Sequence, residues 1–421
     1  MTESLPLAIV GCGGMGHRHL YGLAELQRAG RSPFALVGAC DPNLDNANSL
    51  ADQAADLLGR RPSVAKDLEG LPAEVRAVDV CTLPAFHHTS AIAALQRGWH
   101  VMCEKPMGLT LRACQAMIRA ARQAGRVLSV AENYRRDPIN RLARALIDAG
   151  ALGQPRLLIH NTLGGGDQMM ISVWRHQKNS SGILLDVGVH FADIMEYFLG
   201  PAVTAYAQTR LHEPIRHNPV AGKDNAEKRS PAGVYERWQK AMPAQFEATA
   251  EDAAYATILF TNGAVAQYIE DHAVHGQGLW QRTLYGSQGS MNLPGDRSGQ
   301  RLQLTLPGKE AMDDQRLLEL APNFCLDPVT AALFGGERLY EYHFPFPEID
   351  RKLIAVEYAE FGEGILHQQA PEVGAEMGAR AVALSYALLE SQVAGQAVSV
   401  AEVLEDRLNG YQAEINASLG L

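Results

Sequence analysis

Cysteine is scarce. Six stand in 421 residues, Cys12, Cys40, Cys81, Cys103, Cys114 and Cys325, and none forms a C-x-x-C pair. That excludes a disulfide framework and a zinc ribbon, and thiols in apolar runs, such as Cys40, Cys81 and Cys103, read as reduced core residues. Long hydrophobic runs are also missing: stretches such as Leu7–Val10 are strand-sized, far short of the ~20 residues that cross a bilayer. Positive charge is in deficit, with 37 Lys and Arg against 47 Asp and Glu, a formal charge of -10. Such a surface repels a phosphate backbone, so nucleic acid is not an expected partner. The N-terminus lacks a basic leader, since Glu3 stands where a signal peptide carries Lys or Arg. The expectation is a cytoplasmic protein with no membrane association. What is present, 47% apolar and 20% charged residues, supplies a large core for two or three domains.

Strand-length apolar runs alternate with amphipathic stretches over the first third. Residues 5–10, 34–40, 78–83, 100–103 and 126–131 read as strands, and the alternation predicts an α/β Rossmann domain, a doubly wound parallel sheet, over residues 1–135. A helix follows at 139–149. From residue 155 the strands lengthen and the turns shorten: 156–163, 254–261, 264–271, 280–285 and 290–293, with Asn262-Gly263 as a hairpin signal. Residues 136–421 are therefore expected to form an α+β domain with a large, mostly antiparallel open sheet. A polar, proline-containing insertion at about 211–245 reads as a loop or lid. Helices are expected at 181–199, 349–366, 372–389 and 400–419.

Gly11-Cys12-Gly13-Gly14-Met15-Gly16 matches G-x-G-x-x-G. Alone the pattern is weak, but here it directly follows a strand and opens a helix, which is the context a dinucleotide site demands. Gly11 permits the turn, Gly13 lets backbone approach a diphosphate, Gly16 lets the helix pack on the sheet, and the helix N-terminus offers N–H groups. The second strand ends in Asp41, whose carboxylate accepts from ribose hydroxyls and repels a 2'-phosphate. NAD is favoured over NADP.

Lys105, in Cys103-Glu104-Lys105-Pro106, ends a strand on the ligand-binding edge of the sheet and can donate to an alkoxide. On the helix expected at 181–199, Asp186 and His190 stand at i, i+4, close enough for one substrate hydroxyl to reach both, with the carboxylate orienting the imidazole or binding a neighbouring hydroxyl. Tyr134 and Arg135, and Trp174 and Arg175, flank the same crevice by position. They could bind substrate, an anionic sugar included, or simply cement the domain interface. Gly164–Asp167 reads as a crevice loop. His87, His160, His212, His217, His272 and His275 lack metal-ligand spacing, and no metal is expected.

The glycine loop, Thr82-Leu83-Pro84 with His88 beyond it, the run Gly98–Pro106 and the run Gly182–His190 together resemble the Gfo/Idh/MocA family of glucose-fructose oxidoreductase, inositol dehydrogenase and relatives. The resemblance implies NAD chemistry on the ring alcohols of sugars or cyclitols, with Lys105 as the active-site lysine, His190 as acid/base and Asp186 as its substrate-binding companion. By the same resemblance the cofactor would lie against Gly11, Gly13, Gly14, Met15, Gly16, Asp41, Thr82, His88, Glu104 and Lys105. The open sheet implies a homodimer or homotetramer. Two other readings share these motifs: a glycoside hydrolase or lyase that oxidises a ring position transiently and recycles its cofactor, and a non-enzymatic NAD-sensing regulator.

Overall fold

The computed structural model describes residues 4–223 and 234–421. Six parallel strands, β1 (Leu5–Val10), β2 (Phe34–Cys40), β3 (Ser63–Ala65), β4 (Ala77–Val80), β5 (His100–Glu104) and β6 (Leu128–Ala131), lie in the order β3-β2-β1-β4-β5-β6. Helices α1 (Gly14–Arg28), α2 (Leu44–Leu58), α3 (Pro84–Gln96) and α4 (Leu111–Ala124) make the crossovers. Because they cover the sheet, the central strands are apolar on both sides, and Leu7, Ala8 and Ile9 are wholly buried. Strand order reverses between β1 and β4, so the carboxyl ends splay apart there and leave a crevice. Capping is local: Asn43 accepts from the Asp45 N–H at 3.0 Å and Thr110 from that of Ala113 at 3.3 Å.

Helix α5 (Pro138–Asp148) then leads to β7 (Pro155–Gly165), α6 (Ile183–Asp186), α7 (Gly188–Leu199), β8 (Ala202–Arg210), β9 (Ile215–His217), α8 (Glu236–Ala241), β10 (Gln245–Glu247), β11 (Ala253–Phe260), β12 (Val265–Val274), β13 (Leu279–Gly286), β14 (Ser290–Leu293), β15 (Gln303–Thr305) and β16 (Val398–Ser399). Eight of these strands form one sheet, β15-β14-β13-β7-β12-β11-β8-β16, antiparallel throughout except for the parallel pair β7 and β12. Gly263, at φ +84°, turns β11 into β12 as the Asn-Gly pair predicts. Helix Ala375–Ala394 covers one face of the sheet, where the Ser391 hydroxyl accepts from the Ala207 N–H. Helix Phe346–Leu366 instead lies along α1, tying the second half of the chain to the first.

Several expectations need correction. Strands β3, β8, β9, β10, β15 and β16 carry little strand signal in the sequence: most are two or three residues long, and β8 is rich in small and polar side chains, which weakens its alternation. The pattern at 400–419 forms two short helices, Val400–Leu404 and Ala413–Leu419. The helix expected at 181–199 breaks at Val187. In an unbroken helix the His190 N–H would donate to the Asp186 carbonyl, but Lys105 Nζ takes that carbonyl at 2.8 Å and the His190 N–H turns to Val187. Part of the insertion at 211–245 lies outside the described residues. Its described parts form the β9–β10 ribbon and α8. Cys325 is exposed, unlike the five buried thiols.

Candidate active site

Two cavities meet at the carboxyl edge of the parallel sheet. The larger, of about 740 Å³, runs along Gly11, Gly13, Gly14, Met15, Asp41, Thr82, Glu104 and Lys105. The smaller, of about 400 Å³, is lined by Tyr134, His190, Trp280, Arg297 and the crevice loop at Gly164 and Gly165. Glu104, Lys105, Arg175 and Asp186 line both and mark the seam between them. Trp174 lines only the larger cavity.

The glycine loop fits a dinucleotide. Gly11 takes φ +95°, and a Cβ on it would lie 2.6 Å from the Cys81 backbone. A Cβ on Gly16 would lie 2.3 Å from the Gly11 carbonyl oxygen, which is a packing constraint; Gly16 does not line the cavity. A Cβ on Gly13 would meet nothing within 4 Å, so this backbone is open to close approach by a ligand. The Asp41 carboxylate is fixed at the rim by the N–H groups of Cys12 and Asn43, each at 2.8 Å. These residues could hold the diphosphate and a ribose. His88 does not line the cavity. His87 does, with its ring nitrogens 2.8 and 3.0 Å from the Pro106 and Thr82 carbonyl oxygens, a placement that metal-ligand spacing does not encode.

At the seam Lys105 Nζ donates to the Asp186 carbonyl at 2.8 Å and to its carboxylate at 3.1 Å, and Arg175 Nε donates to the other carboxylate oxygen at 2.7 Å. Burial opposes ionisation of Asp186, but Arg175 and Lys105 outweigh it and hold the carboxyl well below its ordinary range. Asp186 is therefore an anion shared by two cations, and does not orient His190 as the i, i+4 spacing suggests.

That task falls to Glu132, which stands in none of the sequence motifs above. His190 Nδ1 lies 2.8 and 2.7 Å from the two Glu132 oxygens, and the ring stacks on Tyr134 at 4.2 Å between centroids. An ionised carboxylate only accepts, so Nδ1 carries the hydrogen and Nε2 is the acceptor left for the cavity. Burial pushes Glu132 up to about 7, and burial with Lys105 and Arg297 pushes His190 well below its ordinary value. The pair resists carrying separated charge and titrates as one unit. Glu132 follows β6 at the carboxyl edge, the position logic that singled out Asp41 and Lys105, so the signal was available.

Arg135 is placed away from the crevice. Its guanidinium forms a two-pronged pair with Asp193 at 2.8 and 2.6 Å, both residues are buried, and it lines neither cavity. The cation in its place is Arg297, held at φ +57° over the Tyr134 ring with its guanidinium carbon 5.1 Å from the centroid. Behind the seam the buried His19 bridges Asp79 at 2.8 Å and Glu104 at 2.9 Å. Although burial opposes it, Asp79 helps raise the imidazole well above its usual pKa, which makes it a buried cation between two carboxylates. His19, Asp79 and Cys81 are the one group among the described residues with metal-ligand proximity, but both ring nitrogens are already engaged.

A doubly wound sheet with a glycine loop at its switch point and Lys, His and carboxylates facing the same crevice defines a nucleotide-dependent oxidoreductase. Residues 5–132 match the profile of an oxidoreductase family with an NAD-binding Rossmann fold, and residues 140–292 match the GFO/IDH/MocA C-terminal domain. The chain belongs to the Gfo/Idh/MocA family of NAD-dependent oxidoreductases. It is 27% identical over 343 residues to D-glucoside 3-dehydrogenase of Escherichia coli K12, covering 76% of this chain and 86% of that protein. It is 32% identical over 224 residues to levoglucosan dehydrogenase of Pseudarthrobacter phenanthrenivorans, covering 50% and 56% respectively. A solved levoglucosan dehydrogenase in complex with NADH and levoglucosan shares the fold, with a TM-score of 0.71 at 22% identity over 94% of this chain and 99% of that one.

Proposed function

We propose that the chain oxidises a ring secondary alcohol of a sugar, sugar derivative or cyclitol to the ketone. The observation that carries this reading is the shared wall: Lys105, Asp186, Arg175 and Glu104 border both the nucleotide crevice and the smaller cavity. A ring alcohol in the smaller cavity then faces whatever occupies the nicotinamide end of the larger. When bound, NAD supplies the hydride acceptor. His190 Nε2 takes the hydroxyl proton, and Glu132 holds the imidazole in the tautomer that allows it. Lys105, anchored by Asp186, donates to the alkoxide as charge develops. Asp186 binds a neighbouring hydroxyl, while Tyr134 and Arg175 border the substrate and Trp174, on the larger cavity alone, lies on the cofactor side.

Similarity to named sugar dehydrogenases supports net oxidation over hydrolysis with cofactor recycling. The test is Lys105→Ala, assayed by NADH formation at 340 nm across a sugar and cyclitol panel. Loss of one such donor costs roughly 10²–10³ in kcat while NAD binding persists; full turnover in this variant refutes the assignment.

A further inference from the structure

We propose that the segment Val234–Met242, carried by the second half of the chain, is the outer wall of the nucleotide site and retards release of the bound dinucleotide through Tyr235 and Trp238. The inference rests on the larger cavity being the NAD site. Helix α8 is braced from behind: Gln239 Nε2 donates to the Ile171 carbonyl at 2.9 Å, and Asn218 Nδ2 donates to the Gln239 carbonyl at 2.8 Å. It reaches across the crevice as well. Arg237 donates to Ser49 Oγ and Asn46 Oδ1 on α2, each at 2.9 Å.

Between these anchors two aromatic rings lie over the phosphate-binding turn. The Tyr235 ring is so near that a Cβ on Gly14 would sit 2.2 Å from it, and its hydroxyl accepts from Arg18 at 3.4 Å. Trp238 is half-buried under the Arg237 guanidinium, 4.0 Å from its ring centroid, and meets His17, just past the glycine loop, edge to face at 5.8 Å. Both rings and Met242 line the larger cavity together with Gly13 and Gly14. A dinucleotide lying along the open backbone at Gly13 is thus flanked by the Tyr235 ring packed on Gly14 and by Trp238 on the same cavity wall. To leave, it must displace large rings and break hydrogen bonds that join two parts of the chain about 190 residues apart. The brace also reaches the seam. Ile171, a β-branched residue held at φ +60°, lines both cavities, and its carbonyl is the acceptor for Gln239.

The experiment loads the full chain with NADH, displaces it with excess NAD in a stopped-flow fluorimeter, and reads the release rate and the nucleotide left after desalting. Trp238→Ala is expected to release NADH about 5-fold faster, since a lost aromatic contact is worth about 1 kcal/mol. Arg237→Ala, whose side chain is exposed, is expected to release several-fold faster. Should Trp238→Ala fold poorly, Arg237→Ala decides alone. Release at the wild-type rate by the folded variants overturns the wall. A wild-type chain that binds no NADH overturns the nucleotide reading of the cavity, and with it the wall.

Discussion

Glu132 is a positioning residue, and its contribution is legible in the shape of a pH profile. In the proposed reaction the Glu132–His190 pair must be deprotonated to accept the substrate proton, and burial pushes Glu132 up to about 7, so kcat/KM is expected to fall as pH drops through that region. Glu132→Gln keeps a hydrogen-bond acceptor but removes the anion that stabilises an imidazolium. The acidic limb should then move to lower pH and the plateau should drop by on the order of 10²-fold. An unshifted profile would mean that the carboxylate only packs against the ring. Asp186 shows why one residue can mislead: its spacing from His190 is right for a shared face, yet its carboxylate is held by Lys105 and Arg175. No local pattern encodes a partner 81 residues away.

At the scale of elements, helix Phe346–Leu366 packs along α1 and brings Glu357 into the interior with both carboxyl oxygens lacking a hydrogen bond. Burial pushes this group up to about 8, against the pull of Arg136 and His19. Below its ordinary pKa near 4.5 the side chain is protonated in both folded and unfolded chains and adds no pH dependence. From there to about 8 only the folded chain keeps the proton, so stability falls with rising pH, by at most ~1.4 kcal/mol per unit. Glu357→Gln removes this penalty, and its Tm should decline less than that of the wild type between pH 5 and pH 8.5. Parallel thermal scans check it, and equal slopes would show the carboxyl finding a partner or water. The break between α6 and α7 belongs to this scale too: periodicity predicts one helix, and a lysine from another strand takes the carbonyl that would have continued it.

At the scale of the whole molecule, the described residues cover one face of the eight-stranded sheet and leave the other open. Alternation along β8 and β11 buries Ala205, Ala207, Ile258 and Phe260 and leaves Tyr206, Tyr255 and Leu259 exposed, with Leu279 and Tyr285 of β13 also exposed. Apolar side chains exposed together on one sheet face are what an association surface requires. Light scattering is expected to give the mass of a dimer or tetramer, and Tyr206→Glu with Leu259→Glu to reduce it; a monomeric wild type at micromolar concentration would refute this. Among the described residues no helix is long and apolar enough to cross a membrane. The sequence by itself determined the parallel sheet, the glycine loop, Asp41 and Lys105, because strand period, turn chemistry and placement at a strand's carboxyl end are local properties. It could not decide that Glu132 orients His190, that Arg135 turns inward while Arg297 enters the cavity, or that an insertion more than 200 residues downstream covers Gly14. Those are matters of which side chains the packed halves bring within hydrogen-bond range, and close-range charge and contact energies exist only once the chain has folded.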